Sequence, residues 1–457
     1  MEKNLTNGSV FKNIVFFSLP YLFSYFLQTL YGMADLYIVG QFEKTVAETT
    51  AVSIGSQVMH MLTVMIVGLA MGTTVSIGQA IGAGNKRRAA QDTGNTVTLF
   101  ILVSVALTAL LLLLVRPITS LMSAPQEAVE DTVKYLTICF IGIPFITAYN
   151  VLSSIFRGMG DSKSPMYFIA VACAANIGLD YLFIGAFKMG PAGAALGTTL
   201  SQAISVIISL LVIVKRKMIE VQKSDFKPVK SIMGGILKIG VPVALQDGFI
   251  QVAFVFITII ANRRGLTDSA AVGIVEKIIG FLFLVPSSLL SAVSAIGAQN
   301  IGAGKRERAR QTLGFACIIS VCYGALIAIA VQFAAEPLVG LFMDDASVAV
   351  SGGEYLRGYV WDAVFAGIQF SFSGYFCACE KSQLSFLHNF ISMLAVRIPG
   401  AYLMSKQFPS TLFPMGLASA AGSLLSGIIC VVAFCILERR IKNESEETKC
   451  VKAVSDR

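Results

Sequence analysis

The sequence predicts an all-α membrane protein, with twelve transmembrane helices forming a duplicated 6+6 bundle of two homologous lobes about a pseudo-twofold axis along the membrane normal. Three observations predict it. First, 55% of the 457 residues are hydrophobic and only 14% charged, too oily for an ordinary soluble domain. Second, twelve apolar stretches approach or exceed the roughly 20 residues that a bilayer-spanning helix needs. Third, the chain repeats itself at half length. Outside the apolar stretches there is no run of the roughly 100 residues that a separate soluble domain takes. That excludes extramembrane catalytic, kinase and DNA-binding modules.

The spans run at 14–39, 51–78, 94–115, 133–156, 166–187, 191–214, 236–261, 271–296, 313–334, 355–379, 386–404 and 414–437. The first follows Lys12; it is longer than a signal-peptide core and lacks a small-residue cleavage site, so it is expected to be retained. The second closes on Ile-Gly-Ala-Gly and Lys86–Arg88, the third on Arg116-Pro117 and the fourth on Arg157. Pro165 and Lys188 bound the fifth, and Pro191 and Lys215 the sixth. A basic joint follows, then the seventh, closed by Arg263 and Arg264. The eighth ends on a second Ile-Gly-Ala-Gly, the ninth on Glu336-Pro337, and the last three are separated by Lys381 and Lys406. The expected organisation is an N-lobe at 1–214, a basic linker at 215–235, a C-lobe at 236–437 and a charged tail at 438–457.

Lysine and arginine asymmetry orients the chain. Segments on the side of the N-terminus hold 25 of them and those on the other side hold 8, which predicts that both ends are cytoplasmic. The net charge of +8 therefore reads as membrane topology, and no nucleic-acid partner is expected. Eight of the nine cysteines lie in apolar runs, where they act as small hydrophobes, and no disulfide framework is implied.

An offset of 220 lays AVSIGS (51–56) on AVGIVE (271–276), GQAIGAG (78–84) on AQNIGAG (298–304), and Tyr135-Leu136 on Tyr355-Leu356. An offset of 222 lays Pro20 on Pro242. Hydrophobicity alone does not repeat Gly, Pro and Gln at a fixed distance. The doubled Ile-Gly-Ala-Gly lacks a P-loop ending and follows no strand; its glycines are expected to cap spans two and eight. GLAMG (68–72) and GAALG (193–197) are small-xxx-small pairs suited to close helix packing.

Seven charged residues stand inside spans beyond the first and last three residues: Asp35, Asp180, Asp247, Glu276, Lys277, Asp362 and Arg397. Each is costly in hydrocarbon unless it faces a cavity or a partner. Asp35, Asp180 and Thr198 all fall roughly 10 Å below the outer surface at 1.5 Å per residue. Asn176 is one turn before Asp180 and Tyr31 one turn before Asp35, on the same helix faces. Two carboxylates, an amide and a hydroxyl suit a hard monovalent cation or a shared proton. The alternative is a helix-to-helix hydrogen-bond clasp. Asp362, Arg397 and Glu276 read as an internal ion-pair network, with Arg397 the counter-charge of Asp362. Asp247, deeper and five residues after Pro242, is with Gln28 a candidate for the substrate cavity. His60 and His388 read as structural, and the 215–238 joint as solvated or headgroup-bound.

On YGMADLYIVGQF (31–42), the doubled GQAIGAG and AQNIGAG, FRGMGDSKSP (156–165), and NIGLDYLF (176–183) followed by GAALGTTLSQ (193–202), the chain resembles the multidrug and toxic compound extrusion (MATE) family over nearly its whole length. The resemblance implies two six-helix lobes that export cationic or amphipathic compounds in exchange for Na+ or H+. It carries the family's N-lobe cation site onto Asp35, Asn176, Asp180 and Thr198. The norfloxacin-exporter branch also places a functional glutamate in span seven, where this sequence has only Asp247; the DNA-damage-inducible F type branch is the nearer. The expectation is thus a monomeric, multi-pass antiporter of the cell membrane, with a small-molecule substrate, the lipid bilayer as its partner, H+ or Na+ as coupling ion, and neither cofactor nor catalytic set. A flippase for a lipid-linked precursor is the alternative, and it would call for a cationic cavity.

Overall fold

A computed structural model describes residues 4–42, 45–216 and 220–455. Lys3, Lys44, Lys217 and Arg457, which enter the orientation count, lie outside them, as do the side chains of Lys449 and Lys452. The described residues are helical apart from turns and short connections. In chain order they form α1 (Val10–Phe42), α2 (Val46–Gly82), α3 (Lys86–Leu121), α4 (Val129–Ile141), α5 (Ile143–Gly158), α6 (Lys163–Asp180), α7 (Gly190–Arg216) and α8 (Lys230–Asn262). Then come α9 (Leu266–Leu282), α10 (Leu284–Gly302), α11 (Arg306–Gly340), α12 (Ala346–Tyr359), α13 (Asp362–Ala378), α14 (Ser382–Ser392), α15 (Ile398–Gln407) and α16 (Phe413–Ser455). Single π-helical turns follow α6 (Tyr181–Ala186) and α14 (Met393–Arg397).

Among the described residues, nine helices or continuous helix pairs are long and apolar enough to cross a membrane. α4 and α5 pass the same test only together, as a pair bent by 46°. The bend falls at Gly142, just before Pro144, whose ring withholds a backbone donor and crowds the preceding turn. The two remaining expected spans, 355–379 and 386–404, are each interrupted, at Val360-Trp361 and at the second π turn. Their pieces are therefore too short to qualify singly.

The helices extend past their apolar cores and are capped there. Thr45 accepts from Glu48 N, Asn85 Oδ1 from Arg88 N at 2.9 Å, and Asp345 Oδ1 from Ser347 N at 2.8 Å, each satisfying a free donor of a first turn. The doubled Ile-Gly-Ala-Gly caps as expected: Gly84 and Gly304 have φ of +70° and +72°, a left-handed turn that costs glycine little. Four prolines stand inside helices at paired positions, Pro20 with Pro242 and Pro117 with Pro337.

The chain divides into two compact units. One comprises 1–251, 287–315 and 377–382, so it holds α1–α7 with parts of α8, α10, α11 and α13 and the first residue of α14. Its interior is built on Ile38, Val52, Leu136, Phe140 and Ile143 in one cluster and on Ile77, Phe156, Phe168 and Ile236 in another. The other unit comprises 252–286, 316–376 and 383–457. Its core gathers Val272, Val275, Ile279, Tyr355, Tyr359 and Leu412.

The basic joint, expected as solvated or headgroup-bound, is exposed over 222–224 and 226–230 but anchored at the buried Asp225. A 3₁₀ turn at Lys223–Phe226 is pinned to α3. Arg87 pairs with Asp225 at 2.7 Å, and Asn95 donates to Asp225 O at 3.0 Å while accepting from Val229 N at 2.7 Å. Thr98 donates to Phe226 O at 2.8 Å. The physical reason is Gly94, where any Cβ would collide with the Asp225 backbone. The bare helix face lets the joint lie flat on α3.

Candidate functional site

Asp35 comes from the last third of α1, Asn176 and Asp180 from the last turns of α6, and Thr198 from α7. All three helices pack together in the first unit. Asp35, Asn176 and Asp180 are 3%, 1% and 0% exposed. Thr198 Oγ1 donates to Asp35 Oδ2 at 3.1 Å, and Asn176 and Asp180 face the same carboxylate. Asp35 Oδ1, both oxygens of Asp180 and both amide atoms of Asn176 are buried without a hydrogen-bond partner in the protein. Buried polar atoms are normally satisfied. Two buried carboxylates this close cannot both stay charged without a shared proton or a bound cation between them, and the oxygen-rich set fits either. Tyr31, half-buried one turn earlier on α1, stands within electrostatic reach of Asp35 without bonding it.

Local sequence builds this arrangement. Asp180 is the last residue of α6, and the chain then widens into the π turn, a local expansion that often marks functional positions. A Cβ on Gly197 would collide with Asp180 Oδ1, and one on Gly193 would press on Phe183 of the π turn. The GAALG pair thus does serve close packing, and one of its glycines seats a carboxylate.

The second set lies in the other unit. Arg397 Nη2 meets Asp362 Oδ2 at 3.4 Å and donates a short hydrogen bond to the Tyr359 hydroxyl. Its guanidinium carbon stands 5.4 Å from the Phe254 ring centroid and 5.6 Å from that of Tyr359, within cation–π range. Asp362 is fully buried. Glu276 lies within electrostatic reach of Arg397; Thr258 Oγ1, its hydrogen-bond donor, is 3.4 Å from both carboxylate oxygens. Among the described residues no ion pair joins Glu276 to Arg397. The guanidinium's fork does not grip the carboxylate in a bidentate pair, because the tyrosine hydroxyl takes the nearer position. Of the other in-span charges, Lys277 is exposed.

The two substrate-cavity candidates are not joined by a hydrogen bond. Gln28 reaches Tyr149 on α5, whereas the half-buried Asp247 lies over Gly68 of α2, where a Cβ would meet Asp247 Oδ2. His388 is 1% exposed and bonded at both ring nitrogens, Ser373 at 3.0 Å and Ser426 at 2.6 Å, so it is a satisfied structural histidine. His60 is exposed.

Sequence reasoning passed over Tyr135 and Cys139 of α4, which line the Asp35 region, and over Tyr359 and Phe254 around Arg397. The signal for Tyr135 was in the repeat: its counterpart Tyr355 stands beside Glu276, Arg397 and Asp362. Both tyrosines are buried, at 2% and 0% exposure, and each marks a buried polar cluster.

Comparison with known proteins bears on the whole chain. It is 28% identical over 402 residues to the probable multidrug resistance protein YpnP of Bacillus subtilis, covering 88% of this chain and 90% of that protein. It is 26% identical to a FAD transporter of Shewanella oneidensis, covering 90% and 92%. Among solved structures, MATE in complex with MaL6 superposes with a TM-score of 0.88 at 24% identity, covering 97% of this chain and 99% of that one; at such identity the likeness establishes the fold. The family model MatE matches twice, at residues 20–182 and 242–403, with the two matches offset as the internal repeat is. Matched in both halves and over well more than half its length, the chain belongs to the MatE family of membrane transporters.

Proposed function

We propose that this transporter is a secondary active antiporter that exports cationic or amphipathic small molecules across the cell membrane in exchange for H+ or Na+. Asp35, Asn176, Asp180 and Thr198 form its cation-coupling site. The observation that carries the reading is the convergence of two buried carboxylates, one from α1 and one from α6, with unpaired oxygens facing one another. A proton or monovalent cation entering there changes both charge and hydrogen bonding, and a ligand that binds one conformation better shifts the transporter toward it. The names of relatives, multidrug resistance and multidrug export proteins among them, support export of drug-like compounds. Both chain ends lie in the cytoplasm on this reading, which the lysine and arginine asymmetry supports. The protein works as a monomer without a cofactor and is closer to the branch whose ion site lies in the N-lobe. The flippase alternative gains no support from the relatives' names, and the acidic residues argue against it.

The test is reconstituted dye efflux driven either by an imposed Na+ gradient or by an imposed pH gradient. One of the two should drive export in the parent. Asp35→Asn, which keeps shape and removes charge, should abolish it with folding unchanged. Ion-driven efflux that survives in Asp35→Asn removes Asp35 from the coupling role.

A further inference from the structure

The GQAIGAG and AQNIGAG motifs meet each other face to face. A Cβ on Gly82 would collide with Gln299 O, and a Cβ on Gly302 would collide with Gln79 O. Both residues of each contact map onto the other at the 220 offset. Gly78 and Ala298, themselves 220 apart, are direct neighbours: a Cβ built on Gly78 lies 3.1 Å from that of Ala298. The pseudo-twofold axis therefore passes between them. The glutamine side chains obey the same rule. Gln79 Nε2 donates to Ala378 O at 3.0 Å, and Gln299 Nε2 donates to Gly158 O at 2.9 Å, the acceptors being the last residues of α13 and α5 and again 220 apart. Each repeat thus reaches across and holds the end of a helix in the other.

One part breaks the symmetry. Leu5 N donates to Gln299 Oε1 at 3.3 Å, Asn300 Nδ2 to Leu5 O at 3.4 Å, Lys305 Nζ to Thr6 O at 3.0 Å and Arg308 Nη2 to Gly8 O at 3.1 Å. Leu5 is 1% exposed. Asp225, the residue at Leu5's position in the second repeat, is held instead by Arg87 and Asn95 on α3. All of these groups belong to the first compact unit.

We propose that this seam is a gate of transport: Gln79 and Gln299 hold the ends of α2 and α10 closed over glycine contacts, and residues 5–8 latch the Gln299 side. A seam held by a few neutral hydrogen bonds and bare glycine backbone can part and re-form, because each bond contributes little net free energy once water can replace it. The buried apolar side chains beside it, Met71, Val75, Ala298 and Ala378 among them, form only a small cluster. The reciprocity also fits alternating access, since a closure lying on the pseudo-axis is released by both repeats together. That this face is the cytoplasmic one rests on the orientation proposed above.

The experiment uses the full-length chain with its natural cysteines replaced. In it, Ala298→Cys should react slowly with a membrane-impermeant maleimide, applied to each face of the membrane in separate samples. Adding Gln79→Glu and Gln299→Glu sets a carboxylate against each carbonyl, and labelling should then rise about tenfold from one face only. Deleting residues 1–8 should raise it severalfold by itself. This arm needs no substrate, so it stands even if the export reading fails, and the labelled face reports the orientation independently. In the second arm, Gly78→Cys with Ala298→Cys is oxidised; the Cβ atoms are near the roughly 3.5–4.5 Å that a disulfide spans. Oxidation should lower dye efflux at least about tenfold and reductant should restore it, with neither single variant responding. Labelling unchanged by the glutamine variants, or full transport through the cross-linked protein, overturns the proposal. Labelling unchanged by the deletion overturns the latch.

Discussion

Asp180 owes its position to a missing side chain. Gly197 on α7 leaves the space that its Oδ1 fills, so Gly197→Ala should push the carboxylate away from Asp35. Such overpacking costs about 1–3 kcal/mol, read as a lower melting temperature in detergent together with weakened ion-driven efflux. Gly178, two residues before Asp180 on α6, has nothing near enough to meet an added Cβ, and Gly178→Ala is the neutral control; equal effects from the two would refute the seat. Arg397 poses the opposite case, a charge held by several groups. It has a carboxylate at 3.4 Å, a tyrosine hydroxyl and two aromatic rings. Arg397→Ala leaves Asp362 buried and uncompensated, which costs about 3 kcal/mol or more, and adding Asp362→Ala should recover part of it. Arg397→Lys should recover little, since an ammonium cannot stack between two rings while reaching two oxygens. A parent-like melt for Arg397→Ala with altered substrate range would instead assign the residue to the transport pathway.

At the scale of elements, the basic joint offers a test of how an exposed segment is anchored. Asn95 satisfies both Asp225 O and Val229 N, so Asn95→Ala leaves two backbone groups without partners, a loss of about 1–3 kcal/mol. Limited proteolysis within 220–229 should accelerate in that variant, and an unchanged cleavage rate would mean that the joint is free after all. The seven lysines and arginines of 215–238 marked a solvated or headgroup-bound joint, and 222–224 and 226–230 are exposed; composition reports that average polarity but not the anchor. Docking depends on one glycine, Gly94, and three side chains of α3, Arg87, Asn95 and Thr98, which composition does not encode. Apolar length located nine spans among the described residues, or ten with the bent pair, because the bilayer constrains helix length and apolarity directly. The bend at Gly142 was not anticipated: 133–156 was expected as one continuous span, and Pro144, two residues after the bend, was passed over. Nor were the π turns, because a single extra residue per turn leaves the hydrophobic pattern almost unchanged.

Across the whole molecule the repeat is conserved in framework and altered in charge. At offsets of 220 or 221, Tyr135 answers to Tyr355, but Ser56 answers to Glu276 and Asn176 to Arg397. Matched depth along spans one, five and six brought Asp35, Asp180 and Thr198 into one set from sequence alone, since rise per residue is fixed. The partners of Arg397 were only half legible: a carboxylate could be guessed from charge balance, whereas Tyr359 and Phe254 depend on how α8 and α12 pack. Among the described residues, Asp35 and Asp180 have each other and neutral groups, Asn176 and Thr198, as neighbours; in the second repeat a guanidinium already stands beside Asp362. On the proposed reading, the first cluster must take its positive charge from outside and the second carries its own. Asp362→Asn combined with Arg397→Gln removes the second pair without changing net charge. Measured per folded protein, its ion-driven efflux should keep the parent's dependence on the driving gradient within about twofold. Asp35→Asn combined with Asp180→Asn should lower that efflux at least about tenfold, even if the protein melts at the parent temperature. The reverse result, with coupling lost in the second-repeat variant and kept in the first, would move the ion site to Asp362 and Glu276 and leave the Asp35 set as a helix-to-helix clasp.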